Sequence, residues 1–144
     1  MRRVGPREAA LACDVVCCVT PGAEPVVSET DLRPGLHLNM LGADGPGKAE
    51  ATVEAVTRCR LFCDEWEQAS HGGELTAAVA AGRVGRQDVA DLGAVLAGQA
   101  AGRGGDDEVT LFDSTGLAIQ DLAVAAAALE AHRAGRVDGR RVPL

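Results

Sequence analysis

The stretch LHLNMLGADGPGKAE, from Leu36 to Glu50, decides the fold class of this chain. Its apolar run, Leu36 to Leu41, stops abruptly at Gly42, and an acid (Asp44), further glycines and Lys48 follow. A short apolar run bounded by glycine and proline is typical of a buried strand, so the polar cluster lies at that strand's carboxyl end. Ligands bind at this end of the strands in open α/β sheets. We therefore interpret Asp44 as the leading candidate for chemistry in the sequence.

Two interpretations of Asp44 remain open at this level. A carboxylate beside the backbone amides of a glycine-rich turn, four residues before Lys48, could be held ionised and act as a base or proton carrier. Alternatively, Asp44 caps a helix that starts near Pro46, because proline favours the first helical position and aspartate the cap. The two roles are not exclusive.

Predicted strands alternate with predicted helices along the chain. VVCCVT (Val15–Thr20), which Pro21 and Gly22 follow, and the short run RLFCD (Arg60–Asp64) predict two strands in addition to the one from Leu36 to Leu41. This order predicts an α/β fold with a parallel sheet. Three strands are few for a complete doubly wound sheet, so the sheet begins in the middle. Helices are predicted over residues 49–58, 66–70, 74–81 and 87–97, an extended piece over 108–112, and a long helix over 115–134 that Asp113 and Ser114 cap.

The composition limits the class of protein. A chain of 144 residues is long enough for one domain with its own core. Hydrophobic residues make up 47% but aromatic residues only 2%, so Ala, Val and Leu must build that core. The net charge of −7 and the scattered arginines disfavour nucleic acid as a partner. The apolar run from Leu122 to Leu129 is too short to cross a bilayer and no signal peptide is recognisable, so we expect a cytoplasmic protein without membrane contact.

The cysteines are interpreted as reduced thiols, because the chain has five of them and no secretion signal. Their spacings, CxxxCC from Cys13 to Cys18 and CxxxC from Cys59 to Cys63, differ from the paired spacing of structural zinc sites. Most of them fall in or beside predicted buried strands, where cysteine behaves as a small hydrophobic residue. We therefore predict no metal site.

Other motifs each have a ligand-binding and a purely structural interpretation. Thr20 in the VTPG turn could bond a ligand or only complete the turn. The helix start at residues 113–116 could receive a phosphate or carboxylate, or form a cap and nothing more. His37 is interpreted as a satisfied core or edge histidine, and the HGGE segment at 71–74 as a loop. The phosphate-binding pattern GxGxxG is absent, since residues 102–105 have neither its spacing nor a preceding strand.

Three motifs in order closely resemble those of the ornithine cyclodeaminase/mu-crystallin family: LHLNMLGADGPGKAE, DEWEQASHGGE (Asp64–Glu74) and EVTLFDSTGLAIQDLAVA (Glu108–Ala125). HGGE and FDSTGLAIQD are most similar to archaeal-type alanine dehydrogenases. The resemblance implies NAD(P)-dependent homodimers with a Rossmann domain and a dimerisation domain built from both chain ends. Family members are much longer, and this sequence matches only their C-terminal half. The expected division is therefore a partial Rossmann-type domain over residues 1–112 and, over 113–144, a helix and tail that return into the dimerisation domain.

The resemblance also implies site residues. Asp44 matches the family's catalytic proton donor and acceptor, and Thr115 a position on the substrate side. The remaining matched positions contact the cofactor in the family. The strand-end residues on its nicotinamide side are Leu38, Asn39, Met40 and Leu41. The others are Thr20 in the turn, Lys48 in the loop and Ser114 at the start of the last helix. The departures are large, because the Gly-rich loop, the acidic ribose-binding position and the Lys and Arg that grip the substrate carboxylate are all missing. Cys17 and Cys18 also replace the usual Thr-Ala of the turn.

The expected function follows from this resemblance. It is the C-terminal half of an NAD-dependent (or NADP-dependent) enzyme that oxidatively deaminates a small L-amino acid such as alanine, inactive without its N-terminal half. The expected partners are a small amino-acid substrate and a second copy or the N-terminal half. Alternatives are ornithine cyclodeamination, reduction of a cyclic imine such as pyrroline carboxylate, or a non-enzymatic truncated relative that acts as a dimerising or binding module.

Overall fold

A computed structural model describes residues 5–21, 24–43, 45 and 47–140. Within them, five parallel strands form one sheet with the order β1-β2-β5-β3-β4. The α/β fold with a parallel sheet is therefore confirmed. No helix in these ranges combines the length and the apolar character that crossing a membrane requires. The strands are β1 (Val15–Cys18), β2 (His37–Met40), β3 (Arg60–Cys63), β4 (Val89–Asp91) and β5 (Thr110–Asp113).

Six helices accompany the sheet in the described ranges, and most of them are short. The short helices cover one sheet face or link strands, and only the last exceeds seven residues. Two single turns of 3₁₀ helix, Glu29–Asp31 and Arg86–Asp88, lie in the connections. The helices are α1 (Arg7–Leu11), α2 (Val53–Val56), α3 (Trp66–Gly72), α4 (Thr76–Ala80), α5 (Leu92–Leu96) and α6 (Ala118–Arg133).

The core lies between one face of the sheet and helices α2 to α4. Burial alternates along β1 and β2, as expected when successive side chains point to opposite faces. The side chains that fill this layer are aliphatic or thiol groups, in agreement with the composition. They include Leu38, Met40, Leu61, Cys63 and Leu111 from the sheet, and Ala55, Val56, Leu75 and Ala78 from the helical side.

The opposite face of the sheet is open at the β1 end. Val15 is 57% exposed, Cys17 is exposed, and His37 and Asn39 are half-buried. The predicted satisfied histidine is confirmed, because His37 Nδ1 lies 2.7 Å from Thr110 Oγ1 and Nε2 lies 3.1 Å from Asn39 Oδ1. β1 is also an edge strand, so its outer N–H and C=O groups lack a neighbouring strand in the described part of the chain.

The prediction of one helix over residues 87–97 is wrong in its first half. Val89–Asp91 form β4, which pairs with Leu61–Cys63, and the helix spans only Leu92–Leu96. The segment has helical composition, but the free edge of β3 supplies hydrogen-bond partners that a local pattern cannot reveal. The sheet consequently has five strands rather than three.

The prediction of a helix over residues 49–58 is also wrong in its first half. Val26 and Val27 donate to the Glu50 carbonyl, and Thr52 donates to Val27, so this segment is extended. α2 begins only at Val53, where the Thr52 hydroxyl accepts from the Ala55 amide as the cap. Residues 47–52 are not helical, so a helix that starts near Pro46 does not continue into them, whereas Asp44 and Pro46, on which the capping hypothesis rests, lie outside the described residues.

Two predictions about helix ends also fail. The last helix begins at Ala118 rather than at 115, and neither Asp113 nor Ser114 caps it. α3 continues through His71 and Gly72, so the predicted loop starts only at Gly73. In both places a carboxylate from another element engages the backbone, as described below.

Candidate active site

The carboxyl ends of β1, β2 and β5 meet at one edge of the sheet. Cys18 is in register with Met40, and Met40 with Asp113. The Leu41 amide donates to the Cys18 carbonyl at 3.0 Å, and the Ser114 amide donates to the Met40 carbonyl at 2.9 Å. The three turns that leave these strands are thus joined side by side, where ligands bind in open α/β sheets.

Glu50 joins the first two of these turns. Its side chain is fully buried, and Oε1 accepts from the Thr20 amide at 2.5 Å and the Thr20 hydroxyl at 2.8 Å. Oε2 accepts from the amides of Leu41 at 3.1 Å and Gly42 at 2.8 Å. Four donors compensate the loss of water around one carboxylate.

Glu74 of the HGGE segment holds Glu50 in turn. The Glu74 carboxylate accepts from the Glu50 amide at 2.9 and 3.0 Å and from the Ala51 amide at 2.6 Å. Burial raises the pKa of Glu74 to about 7; these amide donors oppose the rise, and the charge of Glu50 adds to it. Glu74, which lies in the connection between α3 and α4, therefore fixes the backbone at Glu50 and Ala51, shortly after Lys48.

Asp113, at the end of β5, is the third buried acid. Its Oδ2 accepts from the Leu75 amide at 3.1 Å, while Oδ1 has no hydrogen-bond partner among the described residues. Burial is the main cause that raises the pKa of Asp113 to about 7, and the charges of Glu74 and Asp64 contribute. A buried carboxyl oxygen without a donor is more stable when it carries a proton.

Asp64, one residue after β3, organises the turn after β5. Oδ2 accepts from the Thr115 amide at 3.0 Å, the Gly116 amide at 3.2 Å and the Ser114 hydroxyl at 3.3 Å. Oδ1 accepts from the Thr115 hydroxyl at 2.9 Å. The amides predicted as a possible anion site at this helix start are therefore already bonded to a carboxylate.

A cavity of about 330 Å³ opens beside this turn. It is lined by Thr115 and by the last turn of α3, including His71 and Gly72. His71 Nδ1 lies 2.8 Å from the Glu67 carbonyl, which can only accept, so this nitrogen carries the hydrogen. A Cβ on Gly72 would lie 4.0 Å from the Cα of Gly45, so Gly45 lies close to this cavity.

The structure places the sequence-predicted residues as follows. Asp44 lies outside the described residues, between Ala43, which is buried, and Gly45. Leu38 and Met40 point into the core, so only their backbone could face a ligand, whereas Asn39 lies on the opposite sheet face. The structure brings four of the predicted residues together at the strand ends: Thr20, Leu41, Ser114 and Thr115. Lys48 is half-buried and lies on the loop that follows β2.

Sequence reasoning missed the four acids that hold this edge together, Glu50, Glu74, Asp64 and Asp113. The available signal was their position, since all four lie within the quoted family motifs or at their ends. Their function is to accept backbone hydrogen bonds from residues far away in the chain, which no local pattern indicates.

The residues present fit only one end of a dinucleotide. The strand-end turns offer hydroxyl and backbone groups, as a nicotinamide and its ribose require. A pyrophosphate needs free backbone amides or cations, but the amides at Thr20, Gly42 and Thr115 already donate to carboxylates. The phosphates would therefore need groups outside this set.

A metal centre finds no support in the described ranges, where no three His, Cys, Asp or Glu side chains are arranged to hold an ion. Cys18 and Cys63 are buried and Cys59 is half-buried, in agreement with their interpretation as small hydrophobic residues, but Cys13 and Cys17 are exposed.

The parallel sheet with polar turns at its carboxyl edge defines an α/β protein of the open-sheet class, in which ligands bind at that edge. The chain belongs to the ornithine cyclodeaminase/mu-crystallin family, whose family model matches residues 3–136. The alanine dehydrogenase of Archaeoglobus fulgidus is 50% identical over 123 residues, which is 85% of this chain and 38% of that protein. The predicted family is therefore confirmed.

Solved structures agree with this assignment. An archaeal alanine dehydrogenase dimer with bound NAD has a TM-score of 0.84 and 45% identity over 97% of this chain and 44% of that one. The Δ1-pyrroline-2-carboxylate reductase of Thermococcus litoralis, in complex with NADH and L-proline, has a TM-score of 0.82 and 32% identity over 94% of this chain and 42% of that one. The chain thus spans less than half the length of these relatives.

Proposed function

We propose that this chain is the C-terminal half of an NAD-dependent amino-acid dehydrogenase and is active only when its N-terminal half is supplied. The similarity to alanine dehydrogenases supports deamination of a small L-amino acid, alanine first, to its 2-oxo acid and ammonia. The single observation that carries the dependence is the composition of the strand-end site. Its turns and acids are in place, yet the described amides of Thr20, Gly42 and Thr115 already donate to carboxylates and are not free for a pyrophosphate.

The open part of the sheet supports the same proposal. β1 is an edge strand, and the adjoining face exposes Val15 and Cys17. An apolar edge strand with unpaired backbone groups is a surface for pairing with another strand. A strand and helix from the missing half would extend the sheet beyond β1 and cover that face.

The last helix supports a division into two domains, with residues 113–144 outside the partial Rossmann-type domain. All residues from 118 to 130 in α6 are exposed, including apolar Ile119, Leu122 and Val124, which are 68%, 67% and 71% exposed. A helix with apolar residues all round is buried in its functional state. We assign α6 to a dimerisation domain completed by the other half and by a second copy.

The proposed mechanism gives Asp44 the acid–base role. The bound cofactor would supply a hydride acceptor for the substrate's Cα, and release of one proton from the substrate's ammonium group to solvent would complete the conversion to an iminium. Asp44 then takes a proton from the attacking water and returns one to the departing ammonia. Leu41 and Gly42 set the start of the Asp44 loop, and Thr115, beside the cavity, orients the substrate through its hydroxyl. Lys48 and Ser114 contact the cofactor on this proposal.

Complementation tests this function. The 144-residue chain is mixed or co-expressed with the N-terminal part of the Archaeoglobus fulgidus enzyme, and NADH formation from L-alanine is followed. We expect turnover only in the mixture, with a loss of about 100-fold or more in kcat for Asp44→Asn. Tight stoichiometric NAD binding and turnover by the isolated chain would contradict the dependence. A stable complex without turnover would favour a non-enzymatic module instead.

Cyclic-imine reduction is the second candidate, because a relative at 32% identity was solved with NADH and L-proline. Ornithine cyclodeamination is the third reaction of the family. Offering the complemented complex L-alanine, pyrroline-2-carboxylate and L-ornithine in parallel decides among them by kcat/KM. A coding sequence upstream of Met1 with an in-frame strand, GxGxxG and helix would supply the missing half in the same chain.

A further inference from the structure

Glu50 connects two turns that carry predicted site residues, yet it cannot itself reach a ligand. Its side chain has no exposed surface, and both oxygens are occupied by donors from Thr20, Leu41 and Gly42. Removing this acceptor would leave the partly buried amides of Thr20 and Gly42 without their partner, which costs more than the bond itself contributes. The carboxylate therefore holds the turn after β1 and the turn after β2 at one fixed separation.

Steric packing at Gly42 is independent evidence for this fixed separation. A Cβ at position 42 would lie 2.3 Å from the Thr20 carbonyl oxygen and 2.5 Å from Glu50 Oε1. The backbone conformation does not demand glycine there, since Gly42 does not have a positive φ. The close approach of the Thr20 turn and the Glu50 carboxylate is what requires it.

Glu74 limits the movement of Glu50. It binds the backbone amides of Glu50 and Ala51, so the main chain that carries the Glu50 side chain is itself anchored to the α3–α4 connection. Both the amide and the carboxylate of Glu50 are consequently held by hydrogen bonds to other elements.

We infer that Glu50 is the positioning residue of the strand-end site. It fixes the Leu41–Gly42 turn against the Thr20 turn and so sets where the segment that continues through Ala43 to Asp44 leaves the sheet. This inference rests on the proposed function, since the position of that segment matters for catalysis only if Asp44 is the acid–base group.

Amide hydrogen exchange in the ¹⁵N-labelled 144-residue chain tests the structural part. In Glu50→Gln, the amide group of glutamine replaces one acceptor oxygen and faces amide donors. We expect the Thr20 and Gly42 amides to exchange about tenfold faster or more, while Leu38 and Leu111 in the core change less than about twofold. Glu54→Gln, at an exposed glutamate in α2, is the matched control and should change none of them.

An equal acceleration at all four amides, or none at Thr20 and Gly42, would overturn the inference, because a merely stabilising residue affects the whole sheet alike.

If Glu50→Gln does not fold, Thr20→Val removes one donor to Glu50 and keeps the shape of the side chain. Its Gly42 amide should exchange several-fold faster, and Thr20→Ser, which retains the hydroxyl, should match the wild type.

The complemented complex tests the catalytic part. Glu50→Gln should lower kcat for L-alanine about tenfold or more and leave KM within about threefold, because the substitution displaces the acid–base segment while position 50 does not contact substrate. Unchanged kcat, or a rise in KM alone, would contradict positioning. Absence of turnover in the wild-type complex would refute the proposed function instead, and the exchange result would still decide whether Glu50 fixes the two turns.

Discussion

Gly73 lies against the buried carboxylate of Asp113, so closely that a Cβ at position 73 would be 2.5 Å from Oδ2 and 2.9 Å from Oδ1. It would also lie 2.9 Å from the Cα of Ala69. The contact joins the end of α3 to the end of β5. The second glycine of the HGGE segment is therefore required by close approach and not by its backbone angles, because its φ of −96° is open to any residue.

Gly73→Ala should destabilise the chain by about 1–3 kcal/mol, since the added methyl group must displace a fully buried carboxylate or the helix. The free energy of unfolding in urea measures this effect. Gly93→Ala is the matched control, because that glycine lies in α5 with nothing within 4 Å of an added Cβ. It should be neutral or stabilise by about 0.5–1 kcal/mol. Equal stability of the two variants would show that the Gly73–Asp113 contact has no energetic weight.

The chain should lose stability as the pH rises through neutrality. The pKa values of Glu74 and Asp113 are raised to about 7 in the folded state, so the folded protein binds more protons than the unfolded chain between about pH 4 and pH 7. The contribution of these two acids to stability is therefore full at low pH and falls until both are ionised.

Unfolding free energies at about pH 5 and about pH 8 measure this slope. Asp113→Asn removes one of the two titrating groups and should reduce the fall, whereas Glu54→Gln, at an exposed glutamate, should preserve it. A wild-type stability that increases over this range would contradict the raised pKa values.

Asp64→Asn should loosen the turn after β5. Asparagine keeps one acceptor oxygen, while Asp64 uses both for Ser114, Thr115 and Gly116. We expect a loss of about 1–3 kcal/mol in unfolding free energy and faster amide exchange at Thr115 and Gly116. Glu67→Gln, three residues further along at an exposed position, serves as the control. Unaltered exchange at both amides would mean that Asp64 does not organise this turn.

The cysteines should fall into two reactivity classes. Burial raises the pKa of Cys18 to about 11 and those of Cys59 and Cys63 to about 12, so little thiolate forms at neutral pH. Cys13 and Cys17 are exposed. A disulfide reagent should therefore titrate two thiols rapidly in the native chain and all five after denaturation. Cys13→Ser and Cys17→Ser should each remove one rapid equivalent, and rapid reaction of a third thiol would contradict the burial.

The sequence alone determined the elements whose pattern is local. Short apolar runs predicted β1, β2 and β3 within two residues of their observed ends, because a buried parallel strand needs continuous apolar residues. The ordered motifs predicted the family, which the family model confirms over residues 3–136. The prediction that Asp44 is catalytic stays a prediction, as do the cofactor contacts.

Only the tertiary structure decided how the acids act. Val89–Asp91 form a strand because the free edge of β3 supplies hydrogen-bond partners. Glu50 is extended, contrary to the helix predicted for it, because its amide donates to the Glu74 carboxylate. Asp113 and Asp64 likewise accept from residues 38 and 51 positions away in the chain. Helical and strand periodicity report on neighbours in sequence, whereas a buried carboxylate is stable only where donors from distant elements converge on it.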